Sequence, residues 1–242
     1  MEEQEFQLSE KELQRMLTTI LKDDTRWDLM TGKELEKRIK AYKANKGNNP
    51  KIIPILGCLR LADVLYPYKQ EGDAFSMPTH PLPEGAMIMA FTTKAKCKVE
   101  SLKDYKFNSA TVLEILNSFE ADTIKYVCIN PLTDDFILPI EPLKQFTEMA
   151  DRILCDVDNQ MMEGIEFKDL DPITFERFGG KRVECKTRFG DEIIGEAYSF
   201  HEDKTLGPCL AISTNDKEEI KLYFNQVDKI KDITDYNAPE EE

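Results

Sequence analysis

Ile124-Lys-Tyr-Val-Cys-Ile-Asn-Pro-Leu-Thr-Asp-Asp-Phe-Ile-Leu-Pro139 is the stretch that decides the fold of this chain. Its β-branched and aromatic run over residues 124–129 is typical of a buried strand, and the Asn-Pro pair at 130–131 ends that run. The apolar residues 136–138 then restart extended chain, and a proline at 139 suits the first position of a helix, whose amide needs no partner. The stretch therefore predicts a strand, a tight turn, a second strand and a helix. It contains no catalytic motif.

The composition is that of a globular protein with a strong acidic excess. The chain has 242 residues, 41% of them hydrophobic, and a formal net charge of −14. That charge argues against a general binder of nucleic acid or anionic membrane, because both surfaces would repel it. The acidic amino terminus does not resemble a signal peptide, and no apolar run approaches the roughly 20 residues that cross a bilayer. We expect a cytoplasmic protein.

The remaining pattern predicts an α+β fold in two parts. Residues 1–155 read as a mixed-sheet α+β domain with N-terminal helices. Within it, Thr31-Gly-Lys-Glu34 has the form of a helix-capping box, and Asn108-Ser109 is a plausible cap for a helix that runs through Phe119. Residues 67–85 are rich in proline and glycine, which predicts a long surface loop before a buried strand over 86–91.

The C-terminal part differs in character. Residues 156–171 are acidic and weakly patterned, so they read as a linker. About five short alternating strands follow over 172–236 without a helix, and this spacing predicts a small all-β barrel, since closure removes exposed sheet edges. Residues 237–242 are predicted to form a disordered tail.

One predicted helix carries a local excess of positive charge. Its basic residues are Lys33, Lys37, Arg38, Lys40 and Lys43. Because Glu34 and Glu36 are interleaved with them, the simplest interpretation is a solvated helix face. The alternative interpretation is a docking surface for an acidic partner.

Residues 84–148 resemble the N-terminal domain of the bacterial SseB (enhanced serine sensitivity) family. The resemblance rests on the order of four features, which are Gly85-Ala-Met-Ile-Met-Ala-Phe-Thr-Thr93, the helix at 109–119, the strand into Ile129-Asn130-Pro131, and Phe136-Ile-Leu-Pro139 before an amphipathic helix. It implies an α+β domain of mixed strands and helices whose biochemical role is not established as enzymatic. The longer helical N-terminal extension and the C-terminal module depart from the family's pattern.

The C-terminal module resembles a small barrel of the Sm-like or SH3-like type. Gly180–Ala197 looks like the first half of such a barrel, and Ile220–Ile230 resembles its closing strands. RNA-binding members usually carry an Asn in the loop after the second strand and an Arg-Gly or Lys-Gly pair near the end. Here those places hold Ser199-Phe-His-Glu-Asp-Lys204 and Asn225-Gln226. These departures, together with the acidic balance, argue against RNA binding.

The candidate site is the loop that follows the strand at 124–129. Binding residues often lie on loops held by a rigid scaffold, so Asn130, Pro131, Asp134 and Asp135 are the candidate partner-binding residues. The two aspartates could serve as paired carboxylates for a cation or for acid–base chemistry, although adjacent aspartates in a turn usually bond nearby amides.

The other reactive residue types are poorly placed for chemistry. Cys128 lies in an apolar strand, where burial keeps a thiol inert, and the six cysteines contain no CxxC pair that would indicate zinc or redox chemistry. His80 and His201 read as surface histidines. We therefore expect no catalytic residue, no cofactor and no metal.

These observations predict a non-catalytic binding or regulatory protein of the bacterial cytoplasm that acts through protein–protein interaction. Self-association into a homo-oligomer stays open, and neither nucleic acid nor membrane is an expected partner. One alternative is an enzyme or small-molecule-binding protein that uses the loop after strand 124–129. The other is RNA binding through the C-terminal barrel.

Overall fold

The computed structural model describes residues 10–45, 52–72, 74–119 and 123–234, and its fold is α+β as the sequence predicts. The chain divides into two compact units, Met1–Ala150 and Asp151–Glu242, which are described separately below. The predicted tail at 237–242 lies outside the described residues. No helix within the described ranges combines the length and hydrophobicity that crossing a bilayer requires.

The described part of the first unit contains four α-helices and the beginning of a fifth. In chain order they are α1 (Glu10–Thr25), α2 (Gly32–Ala44), α3 (Ile52–Leu61), α4 (Val112–Ser118) and the beginning of α5 (Ile140–Glu163). Both α1 and α2 pack against α3. The side chain of Thr31 caps α2, because it accepts a hydrogen bond from the amide of Glu34 at 3.4 Å. Only this half of the predicted capping box is formed, since the Glu34 side chain bonds to Arg38 and Lys37.

Arg38 joins three of these helices. Its guanidinium donates to both carboxylate oxygens of Asp23 on α1, at 2.7 and 2.8 Å, and to the carbonyl of Pro54 on α3 at 2.6 Å. Gly57 makes room for Asp23, since a Cβ at position 57 would lie 2.5 Å from a carboxylate oxygen of Asp23. Arg38 is therefore an internal clamp and does not belong to the basic surface predicted for α2, because its charge is satisfied inside the helix cluster.

The strands of the first unit form two sheets. In chain order they are β1 (Val64–Glu71), β2 (Ala74–Ser76), β3 (Thr79–Leu82), β4 (Gly85–Ala90), β5 (Lys106–Ala110), β6 (Ile124–Ile129) and β7 (Phe136–Pro139). One sheet is antiparallel with the order β2-β1-β5, and the other has the order β3-β4-β6-β7. In the second sheet β4 and β6 are parallel neighbours, and the outer pairs are antiparallel.

The predicted strands at 86–91, 124–129 and 136–138 are confirmed as β4, β6 and β7. Two other predictions for this unit are wrong. The expected loop at 67–85 holds most of β1 together with β2 and β3, because these segments pair with distant or neighbouring strands. Asn108-Ser109 lies inside β5, and Thr111 caps α4 through a reciprocal pair of hydrogen bonds with Glu114.

The second unit is one antiparallel sheet with the end of α5, one short α-helix and a 3-10 helix at Phe224–Gln226. Its elements after α5 are β8 (Ile165–Glu166), α6 (Pro172–Glu176), β9 (Lys181–Thr187), β10 (Glu192–Asp203), β11 (Gly207–Thr214), β12 (Glu219–Tyr223) and β13 (Val227–Asp232). The strand order is β12-β11-β10-β9-β13-β8. Its core combines inward residues of these strands with Phe175 and Phe178.

The structure corrects two predictions for this unit. Residues 156–171 are not a linker, because they contain the end of α5 and β8, and Met161, Ile165 and Leu170 belong to the buried core. The described strands also do not close into a barrel. They form an open sheet with β12 and β8 at its edges. Strand β13 pairs with β9 on one side and with β8 on the other.

Candidate partner-binding loop

The loop that connects β6 to β7, here called the 130–135 loop, has an unusual backbone. Asn130, Leu132 and Asp135 have φ angles of 53°, 69° and 45°. Among the described residues, Lys217 is the one other non-glycine residue with a positive φ. This conformation costs a residue with a Cβ roughly 1–2 kcal/mol, and such strain tends to cluster at functional sites.

The backbone of Asn130 closes the loop into a tight turn. Its N–H donates to the carbonyl of Ala90 on β4 at 2.8 Å. Its own carbonyl accepts from the amides of Thr133, Asp134 and Asp135, at 3.2, 3.1 and 3.0 Å. Asparagine tolerates the left-handed conformation better than most residues, which explains the residue type at this position.

The buried side chain of Asn130 fixes the loop to the segment that follows β4. Its amide oxygen accepts from the backbone N–H of Thr92 at 2.9 Å, and its amide nitrogen lies 2.9 Å from the Thr92 hydroxyl. The same nitrogen donates to a carboxylate oxygen of Asp134 at 2.7 Å. Both polar atoms of the side chain are thus satisfied, as burial requires.

Charged groups connect the loop to α2. Lys96 forms an ion pair with Asp134 and a second one, at 3.2 Å, with Glu36 on α2. The Thr92 hydroxyl donates to Glu36, and the ammonium group of Lys43 donates to the backbone carbonyl of Asp134. The 130–135 loop is therefore held on two sides, by the sheet and by α2.

The protonation states in this cluster do not favour acid–base catalysis. Burial opposes the charged forms of both Lys96 and Asp134. The bonds of Lys96 to Asp134 and Glu36 nevertheless raise the pKa of Lys96. The bonds of Asp134 to Lys96 and Asn130 likewise lower the pKa of Asp134. Burial, together with the neighbouring carboxylate of Asp135, raises the pKa of Cys128 to about 12. A general acid or base works best with a pKa near the working pH, and a nucleophilic cysteine needs its thiolate.

The four predicted site residues share this loop, but they are not equally accessible. Asn130 is buried and the side chain of Asp134 is 14% exposed, whereas Asp135 is exposed and Pro131 is partly exposed. The most accessible apolar group is Leu132, whose side chain is 80% exposed. The sequence prediction omitted Leu132 as well as Lys96 and Lys43. A leucine that directly follows Asn-Pro in a polar turn is the signal that could have identified Leu132.

Of the other residues considered for chemistry, both histidines lie apart from this loop along the chain, whereas Cys128 lies two residues before it and its thiol donates to Asp135. His80 is exposed on β3, and the six cysteines are free thiols. His201 lies 2.9 Å from the Ser199 hydroxyl on β10, a contact the sequence analysis missed, but His201 has no carboxylate partner within the described residues to complete a triad. Within those residues, no three His, Cys, Asp or Glu side chains gather as metal ligands would.

The outer face of the C-terminal sheet carries charges of both signs. Cross-strand neighbours on this face are Lys186 and Glu192, Glu184 and Lys231, and Arg182 and Glu196. Opposite charges on adjacent strands attract each other, so this arrangement stabilises the sheet. It differs from the continuous basic stripe that an RNA-binding face would need.

The order of elements in the first unit can be compared with the order of sequence features on which the family resemblance rests. Strand β4 runs into Phe91-Thr92, α4 precedes β6, and β7 leads into α5. This is the order on which the resemblance to the SseB family rests, and membership in that family stays a prediction. Comparison of the chain with protein-family models, curated proteins and solved structures finds no match.

Proposed function

We propose that this chain is a non-catalytic, SseB-like protein-binding protein of the bacterial cytoplasm, and that the 130–135 loop presents Leu132 to its partner. The observation that carries the proposal is the exposed leucine, held in a left-handed conformation on a rigid support.

Stability of the fold does not explain Leu132. An apolar side chain that stays in water contributes no burial energy, and its left-handed backbone costs roughly 1 kcal/mol relative to glycine or asparagine. A binding role accounts for both features, because a partner would bury the side chain. The fixed loop would also lose little conformational entropy when it binds.

An enzymatic role at the same loop has weaker support. The Lys96–Asp134 pair and the Cys128 thiol rest in protonation states far from those that transfer protons or attack substrates near neutral pH. Lys96 and Asp134 bond to each other and Asp134 also accepts from Asn130, while the Cys128 thiol donates to a carboxylate oxygen of Asp135 at 3.5 Å. The cluster is best explained as the support of the loop.

The test compares Leu132→Asn with Leu206→Asn, which removes a leucine that is 52% exposed in the second unit. Asparagine suits the left-handed conformation, so L132N should be as stable as the wild type or more stable by up to about 1 kcal/mol. Affinity capture from a bacterial lysate with quantitative mass spectrometry should show a stoichiometric partner that L132N loses and L206N retains. Urea unfolding measures the stability of each variant.

The two measurements together exclude a trivial loss of folding. A more stable variant that no longer captures the partner locates binding at Leu132. Equal capture by the wild type and L132N would contradict the proposal, whatever the stability of the variant.

A further inference from the structure

The two acidic residues of α2 both have partners within the first unit. Glu34 accepts hydrogen bonds from Arg38 at 3.1 Å and from Lys37 at 3.2 Å, and its side chain is 25% exposed. Glu36 is occupied by Lys96 and Thr92, and its side chain is 16% exposed. The fold uses both carboxylates. Within the described residues, Glu34 is shared between Arg38 and Lys37, and neither glutamate pairs with Lys33 or Lys40.

What stays on the outer face of α2 is a row of positive charge. Lys33, Lys37 and Lys40 are exposed and follow one another at spacings of four and three residues, which places them on one face of the helix. We call these three residues the lysine stripe. It spans about 10 Å at a rise of 1.5 Å per residue, and the opposite face of α2 buries Leu35 and Ile39.

The lysine stripe borders the 130–135 loop. Burial disfavours the ionised form of Asp134, but its bonds with Lys96 and Asn130 and, to a smaller extent, the nearby charge of Lys40 lower the pKa of that carboxyl group. One turn further along α2, Lys43 donates to the carbonyl of Asp134, and Tyr42 packs edge-on against Phe136, with ring centroids 5.8 Å apart. Exposed Leu132 therefore projects from a loop that is anchored beside the stripe.

We propose that the partner segment that binds at Leu132 is an acidic polypeptide, with carboxylates on the lysine stripe and an apolar side chain on Leu132. This inference rests on the proposed function and specifies its partner. A concentrated positive face on a chain of net charge −14 gives an acidic segment one favourable place of approach, because the rest of the surface repels it on average.

A nucleic acid or an anionic membrane shares the negative charge but fits less well. Both present extended, dense charge that would also face the acidic remainder of this chain. Neither kind of partner requires a single exposed leucine next to a short stripe for binding. A polypeptide can be short enough to contact the stripe alone and can supply an apolar side chain at a fixed distance.

The test is a selection of random dodecapeptides displayed on phage against the full chain. We expect the selected peptides to be enriched in Asp and Glu around an apolar residue. Their affinity, measured by fluorescence anisotropy, should fall at least tenfold in Lys33→Glu/Lys40→Glu and should fall with added NaCl for the wild type. The control Lys106→Glu/Lys144→Glu changes the net charge equally at exposed lysines elsewhere in the first unit, and it should bind within twofold of the wild type.

The outcomes separate this inference from the proposed function. The inference is overturned if the selected peptides depend on Leu132 but are not acidic. It is also overturned if their affinity changes neither with salt nor in K33E/K40E. Both outcomes are compatible with the proposed function. If no peptide is selected whose binding is lost in L132N, the result contradicts both the proposed function and this inference. Stripe-dependent binding of phosphatidylserine vesicles or of a single-stranded oligonucleotide, tighter than that of the peptides, also overturns the inference.

Discussion

Asn130 combines a backbone role with a side-chain role, and the two can be separated. Its φ of 53° lets one carbonyl accept three amides of the turn, and glycine could adopt the same backbone. Its buried amide group satisfies the N–H of Thr92 and a carboxylate oxygen of Asp134, which glycine cannot do. The residue is therefore fixed by two independent requirements that only asparagine meets well.

Substitution of Asn130 should reveal both requirements. Asn130→Gly keeps the backbone but leaves the Thr92 amide without its partner and removes one bond to Asp134, which keeps its ion pair with Lys96. We therefore expect a loss of about 2–3 kcal/mol in the free energy of unfolding. Asn130→Ala loses the same bonds and adds left-handed strain, for a further loss of about 1 kcal/mol. Urea unfolding monitored by circular dichroism measures both values. Equal stability of the two variants would show that the backbone conformation carries no strain.

At the scale of elements, the sequence predicted those parts whose signals are local. Strands β4, β6 and β7 are short apolar runs bounded by residues that end secondary structure. Thr31 is a typical helix-capping residue and marks the beginning of α2. The 67–85 segment was misread because proline and glycine signal turns, whereas β1 forms through distant pairing with β5. Position 67 tolerates a proline there, since β2 pairs with β1 only at residues 69–71.

The candidate site shows the same division between local and distant information. The turn after β6 was predictable from Asn-Pro and the two aspartates, and the role of this loop as a binding site stays a prediction. The contacts that anchor it come from residues 36, 43, 92 and 96, which are distant in the sequence and carry no motif. The basic residues of α2 were also visible in the sequence. Only the folded chain shows that Arg38 pairs with Asp23 inside the helix cluster and that Glu36 pairs with Lys96, whereas Glu34 still contacts Lys37.

The clamp that joins α1, α2 and α3 allows a prediction at this scale. Arg38→Met leaves the buried carboxylate of Asp23 without its charged partner and should lower the free energy of unfolding by about 3–5 kcal/mol. Asp23→Leu should also lower the free energy of unfolding, because it leaves the guanidinium of Arg38 without its carboxylate partner on α1. The double variant should lose clearly less than the sum of the two single variants, because no unpaired charge is then buried. Additive losses in urea unfolding would show that the ion pair does not couple these helices.

At the scale of the whole molecule, the structure moves the start of the second unit. The acidic composition of 156–171 suggests a linker, and a barrel that begins at 172 follows from that interpretation. Yet α5 carries Met161 into the core of this unit, and the segment after it adds β8 at the sheet edge together with Ile165 and Leu170. The apolar residues of this segment are interspersed with acidic ones, and that signal was too sparse to identify Met161, Ile165 and Leu170 as core from sequence.

Two fragments distinguish these boundaries. A fragment of residues 151–236 keeps every residue of the core cluster and should fold alone, with a cooperative thermal transition and dispersed amide resonances. A fragment of residues 172–236 lacks Met161, Ile165 and Leu170. Loss of a large buried side chain costs roughly 2–5 kcal/mol, so three such losses approach the whole stability of a small domain, about 5–15 kcal/mol. We therefore expect the shorter fragment to be unfolded in circular dichroism and NMR spectra. Cooperative folding of 172–236 with a stability close to that of 151–236 would restore the linker interpretation, because α5 and β8 would then be dispensable to the sheet they pack against.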